Sequence, residues 1–270
     1  MWANTPLGGH VENPEPVEDN ITPLPEKKGL ARGVYLLPNL ITTGALFSGF
    51  YAIIAAMQGS LESAAIAIVI AGFLDSLDGR IARLTNTQSE FGVQYDSLSD
   101  LVAFGVAPAI LMYSWVLSDL GKVGWMIAFL YAACAALRLA RFNTAPDTKV
   151  FVGLASPAAA GTMATTVWTW VDNLNPVVSL QITVFLAVLV TVTALLMVSN
   201  IRYYSPKHIN LKGRVPFIYI VGVVLMFVVV AIYPPGFLLC IGLAYGVSGP
   251  IQAAMRRATE KEKPVESESA

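Results

Sequence analysis

Charge is what this sequence most lacks. Only 13% of its 270 residues are Asp, Glu, Lys or Arg, where a soluble domain carries about 25%. That scarcity excludes an ordinary water-exposed surface and leaves a chain solvated mostly by lipid. Cysteine is nearly absent, with two residues, which excludes a disulfide scaffold and a thiolate zinc site. Cys134 and Cys240 both lie in apolar runs and read as small buried hydrophobes. Histidine is equally scarce: His10 falls in a polar lead-in and His208 in a basic loop, and neither has the company a catalyst needs. The net charge of −1 gives no bulk attraction for nucleic acid. The first thirty residues lack the apolar core of a cleaved signal peptide, so none is expected.

Long apolar runs are present in quantity. Eight segments approach the roughly twenty residues needed to cross a bilayer. They lie near 38–58, 62–84, 94–117, 122–142, 156–173, 177–199, 215–232 and 235–255. Turn-forming residues separate several of them, at Gly59-Ser60, 118–121, 172–176 and Pro234-Pro235-Gly236. The fold expected is therefore all-α, a polytopic transmembrane helical bundle of about eight spans. Residues 1–26, rich in Pro, Glu and Asn, are expected to be a disordered cytoplasmic tail, 27–258 the membrane domain, and 259–270 a second disordered cytoplasmic tail. Lys27, Lys28 and Arg32 precede Val34–Leu37 and fit either a short interfacial helix or a basic flank to the first span. With the N-terminus inside, every Lys and Arg of the seventeen except Lys122 falls on one face. That asymmetry predicts both termini, and the loop joining the second and third spans, on the cytoplasmic side.

Against this background four carboxylates stand out. Asp75, Asp78, Asp96 and Asp100 lie in or beside the second and third apolar segments, where each ionised Asp costs roughly 2.5–3.5 kcal/mol unless partnered. Asp75 and Asp78 are i,i+3 neighbours and Asp96 and Asp100 are i,i+4, so each pair shares a helix face. Antiparallel spans would set Asp78 against Asp96 and Asp75 against Asp100. Paired carboxylates on facing helices make an all-oxygen site for hard divalent cations, and two such cations suit displacement at phosphorus. From Arg83 back to Asp75 is roughly 12 Å of helix, which puts the site near headgroup depth.

Written out, the spacing is D-x2-D-G-x2-A-R-x8-G-x3-D-x3-D, filled by Asp75, Asp78, Gly79, Ala82, Arg83, Gly92, Asp96 and Asp100. It resembles the motif of the CDP-alcohol phosphotransferase family. Stretches 37–42, 89–100, 138–143 and 156–161 extend the resemblance toward its integral-membrane bacterial and archaeal phosphatidylserine synthases. Ala155 departs from it, standing where Pro is expected before Ser156-Pro157. The resemblance implies transfer of a phosphatidyl group from CDP-diacylglycerol to the hydroxyl of L-serine, releasing CMP. It also implies a Mg²⁺ or Mn²⁺ requirement, two ions per site, and a homodimer in the cytoplasmic membrane with its active site facing the cytoplasm. Small-residue faces such as Ala132-Ala133 or Ala158–Ala160 would suit helix packing. Carried over residue by residue, Asp75, Asp78 and Asp96 are metal ligands. Asp100, the fourth carboxylate, is the catalytic base and is itself counted among the metal-binding residues.

The remaining assignments follow from chemistry. Asn39, Thr42, Asp78, Gly79, Arg83 and Gly92 are candidates for holding CDP-diacylglycerol. Arg83 offers a fork for phosphate, Gly79 allows close approach, and Gly92 would let the loop turn into the third span. For the acceptor, Arg141, and to a lesser degree Arg138, would grip a carboxylate, with Asn143, Ser99 or Ser156 on the ammonium or hydroxyl. Each also has a plainer role as an interfacial anchor or helix cap. The loop 201–208 suits anionic lipid headgroups. Two competing readings are weighed. A phosphorylated acceptor, glycerol 3-phosphate or an inositol phosphate, would need more cations than are left after Arg83. A cation transporter would repeat its acidic cluster in both halves, whereas here it occurs once.

Overall fold

A computed structural model describes residues 30–144, 152–173, 178–201, 203 and 217–262. The expected tail 1–26 and most of 259–270 lie outside the described residues, as does nearly all of loop 201–208. The described residues are helical, with no β-strand among them. In order they form α1 (Leu30–Met57), α2 (Leu61–Leu84), α3 (Glu90–Asp100), a π-helical turn (Leu101–Val106), α4 (Ala107–Trp115), a 3₁₀ turn (Leu117–Leu120), α5 (Lys122–Thr144), α6 (Ser156–Asn173), α7 (Leu180–Val198), α8 (Phe217–Ile232) and α9 (Pro234–Glu262).

Each of the eight apolar segments coincides with a helix, the third being α3, the π turn and α4 in one run. Five helical stretches are long and apolar enough to cross a membrane: Leu36–Met57, Glu90–Trp115, Lys122–Thr144, Leu180–Val198 and Pro234–Met255. The other three fall short for identifiable reasons. Helix α2 carries the acidic motif itself. Helix α6 spends its length on small and hydroxylated residues packed inside the bundle, with Ala159, Ala160, Met163, Ala164 and Thr165 buried. The 16 residues of α8 span only about 24 Å.

Several boundaries differ from those expected. Helix α1 runs unbroken from Leu30 through Pro38, so no separate interfacial helix precedes the first span. The break expected at Pro234-Pro235-Gly236 falls at Tyr233, and Pro234 and Pro235 open α9, because the first turn of a helix has no use for the N–H groups that proline lacks. Helix α9 continues to Glu262, past the boundary expected at 258. Cys134 is buried as expected, but Cys240 is exposed on α9.

Small residues set the packing that positions the site. Ala45, Ala52, Ala55 and Ala56 of α1 and Ala64, Ala65, Ala67 and Ala71 of α2 are buried, which lets the two backbones approach closely. The Ser48 hydroxyl ties the pair by donating to the Ala67 carbonyl at 2.7 Å. At Gly49 a Cβ would lie 2.7 Å from the Ala103 Cα, so α1 rests directly on the π turn that follows Asp100.

Candidate active site

The tight turn after α2 brings the two acidic segments face to face. Asn86 takes a positive φ of 52°, and α3 starts at Glu90 with the Ser89 hydroxyl accepting from the Gly92 amide at 3.0 Å. Gly92 is thus in the first helical turn and not in the loop as expected. Its missing side chain serves a different end: a Cβ there would sit 3.3 Å from Asn39 Oδ1 and 3.1 Å from Ser89 Oγ.

Ligand-type oxygens of Asp75, Asp78 and Asp96 all lie within 4.8 Å of one another. Asp75 also lies close to Asp100, one turn deeper, which is the pairing that antiparallel α2 and α3 require. Asp78 is buried and its Oδ2 accepts from the Thr42 hydroxyl at 2.6 Å. Asp96 Oδ1 is buried with no hydrogen-bond partner, and such an orphaned oxygen calls for a cation or a donor. Three carboxylates converging with oxygen donors alone fit Mg²⁺ or Mn²⁺.

Beside the cluster opens a cavity of about 600 Å³. Its lining includes all six residues expected at CDP-diacylglycerol: Asn39, Thr42, Asp78, Gly79, Arg83 and Gly92. Arg83 Nε donates back to the Gly79 carbonyl at 2.8 Å, which fixes the guanidinium at the cavity wall. Pro38, Ala82, Thr87, Gln88, Ser89, Val93, Asp96 and Phe142 complete the lining. Thr87, Gln88, Ser89 and Phe142 were not among the expected site residues, although Ser89 and Phe142 lie in stretches that carry the family resemblance.

The five acceptor candidates separate into four places. Arg138 Nη1 donates to the buried Ser156 hydroxyl at 2.9 Å, and the guanidinium lies within electrostatic reach of Asp100. Its Nε is buried with no acceptor. Arg141 is exposed and donates to Asn200 Oδ1 at 2.8 Å. Asn143 is exposed and donates to Ser97 Oγ at 3.0 Å. Ser99, 2% exposed, gives its hydroxyl to the Thr42 carbonyl at 3.2 Å and so clamps α3 to α1. Of the two arginines, Arg138 is the one within electrostatic reach of the acidic cluster. The departure at Ala155 leaves the start of α6 intact, since its carbonyl accepts from the Ala159 amide at 2.9 Å.

Two features had no reading in the sequence. One is the bond from Thr42 to Asp78. The other is the π turn directly after Asp100, a distortion that recurs at functional sites.

With this geometry in view, the class of protein is settled by its match to known sequences. Residues 35–198 match the CDP-alcohol phosphatidyltransferase family, and the chain belongs to it. Among its relatives is a protein of Helicobacter pylori (strain ATCC 700392 / 26695) named CDP-diacylglycerol–serine O-phosphatidyltransferase. It is 39% identical over 184 residues, covering 66% of this chain and 77% of that one. A protein of the same name from Methanocaldococcus jannaschii is 40% identical over 185 residues, covering 68% and 81%. An archaetidylserine synthase of Methanothermobacter thermautotrophicus is 41% identical over 131 residues, covering 47% and 56%.

Proposed function

We propose that this enzyme transfers the phosphatidyl group of CDP-diacylglycerol to the hydroxyl of L-serine, giving phosphatidylserine and CMP. The observation that carries the reading is the convergence of Asp75, Asp78 and Asp96 beside a cavity of about 600 Å³, with Asp100 close to Asp75. The names of the relatives support serine as acceptor.

Asp75, Asp78 and Asp96 would hold two Mg²⁺ or Mn²⁺ ions, which when bound neutralise the diphosphate and the charge on departing CMP. Thr42 fixes Asp78 by its hydrogen bond to Oδ2, so that the other oxygen is aimed before substrate arrives. Asn39, Gly79 and Gly92 shape a cavity wall along which the nucleotide lies, and Arg83 presents its outer amino groups to phosphate. Asp100 takes the proton from the serine hydroxyl as that oxygen attacks the β-phosphorus. The bond from that phosphorus to the bridging oxygen breaks, and CMP leaves. Arg138, steadied by Ser156, holds the serine carboxylate and thereby places the hydroxyl near Asp100.

All eight apolar helical segments cross the cytoplasmic membrane in this reading, with both termini and the active site on the cytoplasmic side and two copies forming a dimer. Family membership displaces the cation-transporter reading. The test is CMP release by purified enzyme supplied with CDP-diacylglycerol and L-serine. Wild type is expected to turn over, and Asp100→Asn to lose turnover while still binding CDP-diacylglycerol with the metal. Undiminished turnover by Asp100→Asn would refute its role as the base.

A further inference from the structure

One side chain touches both the donor cavity and the acceptor arginine. Phe142 lines the cavity of about 600 Å³ together with Asp78, Arg83 and Asp96, and it lies on α5, the helix that also carries Arg138. Residues 138 and 142 are i,i+4 neighbours and share a helix face. The Arg138 guanidinium carbon stands over the Phe142 ring, 6.0 Å from its centroid. Arg138 is held a second time through Nη1, which donates to the buried Ser156 hydroxyl at 2.9 Å. The residue after Phe142, Asn143, donates to Ser97 Oγ at 3.0 Å, and Ser97 follows Asp96 on α3. The end of α5 that bears Phe142 is thus tied to the helix that bears Asp96 and Asp100.

We propose that Phe142 is a positioning residue for the acceptor, its ring holding the Arg138 guanidinium beside the donor cavity so that the acceptor's carboxylate is gripped next to the phosphorus its hydroxyl attacks. This rests on the reading of Arg138 as the carboxylate's partner. A guanidinium carries five donors in a rigid fork. The bond to Ser156 fixes one amino group, and the buried Nε has no hydrogen-bond partner, so that bond alone leaves the fork free to pivot. A cation over an aromatic face is attracted by the ring, most strongly where water is excluded, and this second contact restricts the pivot. A carboxylate takes two parallel N–H donors, and binding improves when the fork is set before the ligand arrives. Phe142 is 59% exposed, so burial of the ring is not its main contribution. An aliphatic side chain of similar size would also wall the cavity, but it would offer the guanidinium no aromatic face.

The experiment measures steady-state CMP release by full-length enzyme, with L-serine and CDP-diacylglycerol varied in turn. Phe142→Leu is expected to raise the KM for L-serine about fivefold, the scale of one partly desolvated cation–π contact. The KM for CDP-diacylglycerol is expected to rise by less, because leucine keeps the cavity wall apolar. Phe142→Tyr keeps the ring face and is expected to hold the serine KM close to that of wild type. Combined with Arg138→Ala, Phe142→Leu is expected to add nothing to the serine KM, since the ring acts through the guanidinium. An unchanged serine KM in Phe142→Leu, an equal rise in Phe142→Tyr, or additive effects in the double variant would overturn the proposal. So would a rise confined to CDP-diacylglycerol, which would make Phe142 a donor contact only. If Arg138→Ala raises the serine KM and Phe142→Leu does not, only the role of Phe142 fails. If Arg138→Ala leaves the serine KM unchanged, the carboxylate reading itself fails, and the role of Phe142 with it.

Discussion

Thr42 shows what a single side chain does at this site. It lies on α1, 36 positions before Asp78, yet its hydroxyl reaches Asp78 Oδ2 at 2.6 Å, and its carbonyl accepts from Ser99. A hydrogen bond to a charged group contributes about 1.5–3 kcal/mol. Thr42→Val keeps the side-chain volume and removes that bond, so the metal concentration giving half-maximal turnover should rise by roughly one to two powers of ten. An unchanged metal titration would show that Asp78 is placed without it. Asp96→Asn should go further and abolish turnover without loss of membrane insertion, because its buried Oδ1 has no protein partner to replace a cation. The four Asp residues were legible in the sequence, since spacing along one helix fixes which of them share a face. Thr42 was legible only as a polar residue on an apolar span, because its partner comes from another helix. The ranking of the two arginines also changed. Sequence favoured Arg141, but the fold leaves Arg141 exposed on Asn200, whereas Arg138 lies within electrostatic reach of Asp100.

At the scale of elements, the contact that matters most joins α1 to the π turn Leu101–Val106. The ideal Cβ at Gly49 would lie 2.7 Å from the Ala103 Cα and 2.9 Å from its Cβ, and Ala103 is fully buried. Overpacking of this kind typically costs 1–3 kcal/mol. Gly49→Ala should therefore lower the thermal unfolding midpoint and cut turnover, because the displaced turn carries Asp100 at its start. Adding Ala103→Gly should recover part of both, measured on the double variant in the same detergent. No recovery would mean that the damage arises elsewhere. Periodicity and hydropathy located the helical segments, since each is a property of a continuous run. The π turn and the entry of Gly92 into α3 escaped, because each depends on which backbone groups a neighbouring helix leaves room for.

For the whole molecule, orientation rests on charge. The chain places all of its Lys and Arg except Lys122 on one side of the proposed topology. In a Cys240→Ser background, with Cys134 buried, a cysteine at Gln88 should be labelled by an impermeant reagent only from the cytoplasm. One at Ser118 should be labelled only from outside, and the reverse pattern would overturn the topology. The chemistry itself is tested most directly by counting. Purified enzyme is given CDP-diacylglycerol, Mg²⁺ or Mn²⁺ and labelled L-serine, and the serine incorporated into lipid is compared with the CMP released. The proposed reaction predicts one serine in lipid for each CMP, and neither product when a chelator removes the metal. CMP released with glycerol 3-phosphate but not with serine, or full activity in chelator, would contradict it.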